Sequence, residues 1–227
     1  MPPRPRREMT PDEEYSRKLS YILRHGATKE KLPIREDGYL SVAVLLNRAG
    51  IKGKWNLEDT KRVVRDNDKQ RYKLIFEPTE KQPQEPTDPN DCTGYWIRAN
   101  QGHTINTKVE MKALKSPEDF PTLDIFHATS KQVLPIVLKE GLSKMKRQHI
   151  HLATDLVTEG GSVAGKRLNR EVFIYVDVPK ALEAGIEFFL SENGVVLTEG
   201  KDGKITRDLF SKVLDKKNEP IDLEAFA

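Results

Sequence analysis

The chain has one cysteine, Cys92, among its 227 residues. That excludes an intramolecular disulfide framework and any zinc site built from several thiolates. Cys92 lies in a polar stretch with no base beside it, so it is not expected to act as a nucleophile. No apolar run approaches the roughly 18 residues that a membrane span requires, and no membrane association is expected. The opening MPPRPRRE is basic and proline-rich but lacks the apolar stretch of a secretory signal. The expected location is therefore intracellular, cytoplasmic or nuclear. Four catalytic signatures are also missing: a G-x-S-x-G elbow, a P-loop, an H-E-x-x-H helix and a G-x-G-x-x-G after a strand. Repeats are absent as well.

What is present is ordinary for a globular protein, with 37% hydrophobic and 32% charged residues. The length suits two small domains, each with its own core. A net charge of +3 tolerates a polyanionic partner without demanding one, so local clusters must decide.

Thr10-Pro11-Asp12-Glu13 is a capping box with proline at the first helical position, and Tyr15, Leu19, Ile22 and Leu23 follow with helical spacing. Gly26 reads as the stop. A second helix starts at the Ser41 cap and ends near Gly50, and a third follows Asn56, so three short helices are expected before any strand. KQRYKLIFE and GYWIRA then read as two antiparallel strands. They are joined by the Pro- and Glu-rich insert 77–93, taken as a mobile loop too polar to pack. Three helices and a hairpin make a winged-helix order.

After about residue 108 short strands mix with helices: LDIFHAT, a helix capped by Ser130 and stopped by Gly141, HIHLAT, REVFIYVDV, IEFFLS and VVLTEG. Glu192-Asn193-Gly194 is a hairpin signal between the last two. The expected fold class is α+β, with a basic tail over 1–9, a winged-helix lobe over 10–108 and a mostly antiparallel α+β lobe over 109–227.

Candidate chemistry rests on cations and histidines at the ends of elements: Arg24–His25, Lys69 and Arg71, Arg98 with His103, His127, and Arg147 with His149 and His151. Guanidinium forks match phosphate oxygens, and imidazole adds a donor or moves a proton. Each has a plainer explanation. Arg24 also suits a solvated last turn that complements the helix dipole. Lys69 and Arg71, two apart, share one strand face and clamp a single anion, or merely decorate an edge strand. His149 and His151 have a spacing compatible with zinc completed by His103 or His127, but no acidic or sulfur ligand is in register, and no metal is expected. Asp37, Asp66 and Asp68 occupy turns, where carboxylates bond the backbone. RANQGH suits a loop folded around a polar ligand, or a plain surface loop.

The segments LSYILRHGA, REDGYLSVAVLL, DKQRY, IRANQGHT, FHATS, MKRQHIHLAT and FFLSENGVVLTEG, in that order, resemble the tRNA 2′-phosphotransferase family across nearly the whole chain. The resemblance implies a winged-helix RNA lobe joined to a lobe similar to NAD-dependent ADP-ribosyltransferases. It also implies removal of the 2′-phosphate left at a tRNA splice junction. In the implied chemistry that phosphate attacks ribose C1″ of NAD⁺ and expels nicotinamide, giving an ADP-ribosylated RNA. The ribose 2″-hydroxyl then attacks the phosphate, releasing 2′-OH RNA and ADP-ribose 1″,2″-cyclic phosphate.

Matched motif by motif, the resemblance makes Arg24, His25, Arg71 and Arg147 the catalytic set, with Lys69 as a further phosphate contact. Arg98, Asn100, Gln101 and His103 would line the RNA or phosphate side. His127, Ala128, Thr129, Arg147, His149 and His151 would face NAD⁺. Ala128 stands where the family usually has glycine, which puts a glycine-only backbone conformation there in doubt. The implied partners are 2′-phosphorylated tRNA or RNA and NAD⁺, with no protein partner expected. Two other readings stand beside this one: a winged-helix RNA-binding protein without turnover, and an ADP-ribosyltransferase acting on another acceptor.

Overall fold

The structure is a computed structural model describing residues 8–88, 90–154 and 171–223. Most of the basic tail, residues 1–7, lies outside the described residues. The chain divides into two compact units, Met1–Val109 and Glu110–Ala227. Among the described residues no helix is long and apolar enough to cross a membrane.

In the first unit, α1 (Pro11–Tyr21) starts at the Thr10 capping box, where Thr10 Oγ1 accepts from the Glu13 N–H and the Glu13 carboxylate accepts from the Thr10 N–H. The helix does not stop cleanly. It runs into a π turn, Ile22–Gly26, in which the Ala27 N–H reaches back five residues to the Ile22 carbonyl at 2.9 Å. The helical run ends at Gly26, as expected, but not through a left-handed glycine cap, because Gly26 has no positive φ. A Cβ there would lie 2.6 Å from Cε1 of Tyr21, because a π turn stacks residue i on i+5.

Strand β1 (Leu40–Ser41) precedes α2 (Val42–Leu46), so the expected run of three helices before any strand is interrupted. Ser41 is at the N-cap of α2 but makes no side-chain cap bond. The third helix, α3 (Leu57–Arg65), has a reciprocal capping box between Asn56 and Asp59. Strands β2 (Tyr72–Phe76) and β3 (Tyr95–Ala99) pair antiparallel, and β1 adds on the far side of β3, giving the order β1-β3-β2. The apolar helix stripes and the inner sheet positions meet in one core around Tyr15, Leu19, Leu40, Leu45 and Ile97. The Pro-rich insert is tied down more than its composition suggests. Glu77 pairs with Arg35 at 2.7 Å, Tyr95 donates to Glu85 at 2.7 Å, and Cys92 packs against the core.

The second unit is built on a seven-stranded sheet ordered β12-β8-β5-β7-β10-β9-β4. Its strands are β4 (Lys112–Leu114), β5 (Ile125–Thr129), β7 (Ile150–Thr154), β8 (Val172–Val176), β9 (Phe188–Leu190), β10 (Val196–Thr198) and β12 (Phe210–Asp215), paired antiparallel throughout. A separate two-stranded ladder joins β6 (Leu142–Ser143) and β11 (Lys204–Ile205). The β9–β10 turn closes as the Asn-Gly signal predicts, with Ser191 Oγ donating to the Val195 carbonyl at 2.8 Å. Helix α4 (Leu134–Glu140) ends at Gly141, but Ser130 does not cap it. Its carbonyl instead closes a turn to the N–H groups of Val133 and Leu134, and the helix starts after that turn. The short α5 (Val178–Glu183) is capped by Asp177. Helix and sheet bury Leu134, Leu138, Leu152, Ile174, Phe188 and Val196 together.

Candidate functional site

Helix ends leave carbonyls without an intrahelical partner. At the end of the π turn the Arg24 carbonyl is such a group, and the loop after β3 satisfies it. The Thr104 N–H donates to it at 2.9 Å and the Ile105 N–H at 3.4 Å. The Thr104 hydroxyl adds a bond to the same carbonyl at 3.3 Å and another to Nδ1 of His25 at 2.9 Å. Within that loop Gly102 sits at φ +89°, and a Cβ on it would touch the Arg24 guanidinium carbon at 3.5 Å. The backbone of RANQGH therefore runs alongside the Arg24 fork.

The same loop is tied to the turn before β2. The Asn100 N–H donates to the Arg71 carbonyl at 2.9 Å, and Asn100 Nδ2 donates to the Gln70 carbonyl at 2.7 Å. Asn67 Oδ1 accepts from the Arg71 N–H at 3.1 Å and from the Arg71 guanidinium at 3.4 Å. Three separate segments, 24–25, 67–71 and 98–104, are thereby held together in the first unit. Lys69 and Arg71 do not share a strand face as expected: β2 begins only at Tyr72, and Gln70 between them has φ +43°. The turn nevertheless brings both, with His25, to one cleft of about 830 Å³ that Ser16, Ser20, Tyr21 and Asn67 also line. The Tyr72 hydroxyl lies 2.7 Å from Ser20 Oγ and 3.0 Å from Ser16 Oγ, fixing hydroxyls that sequence reasoning missed.

Arg98 and His103 are buried, unlike the exposed His25. Arg98 lies within β3 with its guanidinium carbon 4.9 Å from the Tyr39 ring centre, and His103 packs near Gly38. Gln101 is half-buried in the loop. Asp37 bonds the backbone as expected of a turn carboxylate, accepting from the Tyr39 N–H at 3.3 Å as well as from Arg35, whereas Asp66 accepts from the Arg65 side chain, whose guanidinium holds the Asp66 carboxyl below its ordinary value.

The remaining candidates belong to the second unit. His127 and Ala128 lie mid-β5 and Thr129 ends it. Strand β5 pairs with β8 from Phe126 to Thr129 but with β7 only at Ile125 and Phe126, so the stretch His127–Thr129 lies where β7 has ceased to pair. His127 Nδ1 is 3.1 Å from the His151 carbonyl, which fixes the imidazole across that gap. Ala128 has no positive φ, so the doubt raised by its methyl group does not arise. His151 is in β7, but His149 falls just before it, so the two do not share a strand face as expected. Burial pushes the His149 imidazole below its ordinary value, opposed by nearby Glu199 and assisted by Lys144. Lys144 pairs with Glu199 at 2.7 Å, and that cation holds the Glu199 carboxyl down. Exposed Arg147 occupies the loop between, its N–H bonded to the Lys144 carbonyl at 3.0 Å. Among the described residues no group of three or more His, Cys, Asp or Glu side chains is placed to hold a metal ion.

A family model described as RNA 2′-phosphotransferase, Tpt1 / KptA family, matches residues 10–200. The tRNA 2′-phosphotransferase 1 of Danio rerio is 38% identical over 222 residues, covering 96% of this chain and 92% of that protein. The human tRNA 2′-phosphotransferase 1 is 40% identical over 214 residues, covering 93% and 79%. A putative tRNA 2′-phosphotransferase of Schizosaccharomyces pombe is 38% identical over 212 residues; there the match covers 92% of this chain but about half, 52%, of the longer relative.

Proposed function

Because the chain belongs to the RNA 2′-phosphotransferase family, a family of transferases, we propose that it removes the splice-junction 2′-phosphate of ligated tRNA by transferring it to NAD⁺. The products are 2′-OH RNA, ADP-ribose 1″,2″-cyclic phosphate and nicotinamide. The observation that carries this reading is the convergence of His25, Lys69 and Arg71 on one cleft, with Arg24 tied to the same assembly by its backbone carbonyl, through the hydrogen bonds of Thr104, Asn100 and Asn67. Such a constellation suits a substrate whose nucleophile is already an anion. The protein need not create the nucleophile, only position it and neutralise part of its charge.

In this reading Arg71 and Lys69 hold the 2′-phosphate from the cleft, and Arg24, whose Nε and Nη2 are buried beside Gly102, adds its positive charge. His25 donates to it, oriented by Thr104. Asn100, Gln101, Arg98 and His103 shape the loop that backs those cations. NAD⁺ as co-substrate supplies an electrophilic ribose carbon with nicotinamide as leaving group. The second unit fits such a ligand: His127 is braced by the His151 carbonyl for a ribose hydroxyl, and Ala128 and Thr129 offer backbone at an edge that β7 has left. Arg147 and His149 are assigned the phosphate charge that develops when the ribose hydroxyl attacks.

The element order of the first unit, with sheet order β1-β3-β2, supports a winged-helix lobe. The antiparallel sheet carrying His127 mid-strand supports an ADP-ribosyltransferase-like lobe. The reading carries with it an intracellular location, cytoplasmic or nuclear. The test is incubation with a 2′-phosphorylated oligonucleotide and NAD⁺, followed by product mass and free nicotinamide. The expected outcome is 2′-OH RNA with one nicotinamide per phosphate removed. Retention of the phosphate at all protein concentrations would refute it, and an ADP-ribose left on the RNA would mean transfer to an acceptor without completion.

A further inference from the structure

We propose that a lysine strip on the first unit, Lys29 and Lys31 in the turn after His25 and Lys52 and Lys54 beside Trp55, binds the RNA sugar-phosphate backbone flanking the reacting phosphate. This inference rests on the reading that the protein acts on RNA.

On α3, Lys61 pairs with Glu58 at 3.3 Å, Arg62 with Asp12 at 2.8 Å and Asp59 at 2.7 Å, and Arg65 with Asp66 at 2.6 Å. The charges of that helix are matched within the protein, which leaves it little net attraction for a polyanion. Lys29, Lys31, Lys52 and Lys54 are all exposed, and none makes an ion pair within 4 Å among the described residues.

Two tethers hold together the segments that carry these lysines. Glu30, between Lys29 and Lys31, accepts a forked pair of hydrogen bonds from Arg48, one of them at 2.6 Å, which fastens the turn after His25 to the start of the 48–54 loop. Lys18 on α1 donates to the Gly50 carbonyl at 3.3 Å, fastening the same loop to the helix that ends in Arg24–His25. The one carboxylate in the turn is thus spent on Arg48, which lowers its pKa below the ordinary carboxylate value. The Lys18 and Lys54 ammonium groups lie 5.7 and 5.8 Å from the Trp55 ring centre. A basic path therefore leads from His25 through residues 29–31 to 52–55.

The chemistry of the path says what it reads. Lysine offers a point charge suited to phosphates, without the fixed fork that distinguishes bases. One face of Trp55 is already occupied by Tyr15, stacked at 4.7 Å and 8°, and lysines crowd the ring. Base stacking is not the mode; backbone contact independent of sequence is.

The experiment compares wild type with Lys52→Ala/Lys54→Ala and Lys29→Ala/Lys31→Ala, all four positions being exposed and outside the reacting site. Affinity for a 2′-phosphorylated tRNA is measured across a salt series, beside turnover of a short 2′-phosphorylated oligonucleotide and a melting curve. Each lost phosphate contact flattens the log–log salt slope by about 0.7, so each double variant flattens it by about 1.4. If affinities converge near 1 M salt, the loss at about 0.1 M is ~25-fold. Oligonucleotide turnover should be unchanged. Unchanged slope and affinity in both variants would overturn the proposal. Equal loss on the short oligonucleotide would do so too, because the lysines would then be acting at the reacting site. Failure of wild type to turn over any substrate would instead strike the functional reading, while the slope comparison with tRNA would still decide the strip.

Discussion

Thr104→Val tests the central hydrogen-bond arrangement with almost no change of shape. The Thr104 hydroxyl serves two partners, His25 Nδ1 at 2.9 Å and the Arg24 carbonyl at 3.3 Å. A hydroxyl has one proton, and a carbonyl can only accept. When the proton goes to the carbonyl, the oxygen accepts from Nδ1–H, and Nε2 donates to the proposed phosphate only when the ring carries both protons. Valine removes this restraint while leaving the backbone bonds from Thr104 and Ile105 to Arg24 intact. A net hydrogen bond contributes about 1 kcal/mol, which corresponds to a ~5-fold loss of rate when it acts in the transition state. Because Thr104 is exposed, water replaces the bond in the free protein, and global stability should change by less than about 0.5 kcal/mol.

The assay is single-turnover conversion of a 2′-phosphorylated oligonucleotide with saturating NAD⁺, alongside a thermal melt. The expected result is a several-fold lower rate for Thr104→Val, a wild-type rate for Thr104→Ser and coincident melting curves. A Thr104→Val rate indistinguishable from wild type, with the fold intact, would refute the idea that this hydroxyl orients His25.

Arg147→Ala should slow the second step more than the first, so that ADP-ribosylated RNA accumulates on a quenched time course; its absence would count against assigning Arg147 to the developing phosphate charge. His149 is disfavoured as a cation in the folded state, so below its ordinary value of 6.5 the unfolded chain binds more protons, and stability should fall as pH drops through that range. An NMR titration should place its midpoint below 6.5, and lower still in Glu199→Gln, since Glu199 opposes the shift. Gly26→Ala should destabilise wild type by more than it destabilises Tyr21→Ala, because the 2.6 Å conflict with the Tyr21 ring vanishes; urea denaturation should show a coupling of at least about 0.5 kcal/mol.

The parts of the fold that were legible in the sequence are those written in local chemistry. The Thr10 and Asn56 boxes, the Asn-Gly turn after β9 and the alternation of β2 and β3 each depend on residues within a few positions of one another. What was not legible depends on distant partners. Strand β1 is only two residues long and exists because β3 lies alongside it. Edge strand β12 carries exposed Ser211 and Lys212 and is defined by pairing with β8, not by an apolar pattern. The candidate site followed the same division. Arg24, His25 and Arg71 were found by residue type and motif, but Asn67, Ser16 and Ser20 carry no unusual local signal, and they enter only because a turn or a tyrosine hydroxyl places them. The clue that could have flagged Asn67 is its residue type in a turn, where asparagine side chains take backbone N–H groups, here that of Arg71.

The position of the Arg24–His25 pair at a helix end is more than access to solvent. In a helix interior the Arg24 carbonyl would be spent on a residue four or five positions on, and nothing would draw the 100–105 loop against the guanidinium. Because the π turn ends the helix there, the carbonyl accepts from Thr104 and Ile105 instead. That capture also places the Thr104 hydroxyl against His25. Arg24 thus contributes twice, its carbonyl holding the loop and its fork lying against Gly102 of that loop. A Gly102 at φ +89° allows this approach, since another residue would pay a cost on the order of 1–3 kcal/mol for the backbone alone. The unsatisfied backbone groups that every helix end must dispose of are here the means by which separate segments of the candidate site are held together.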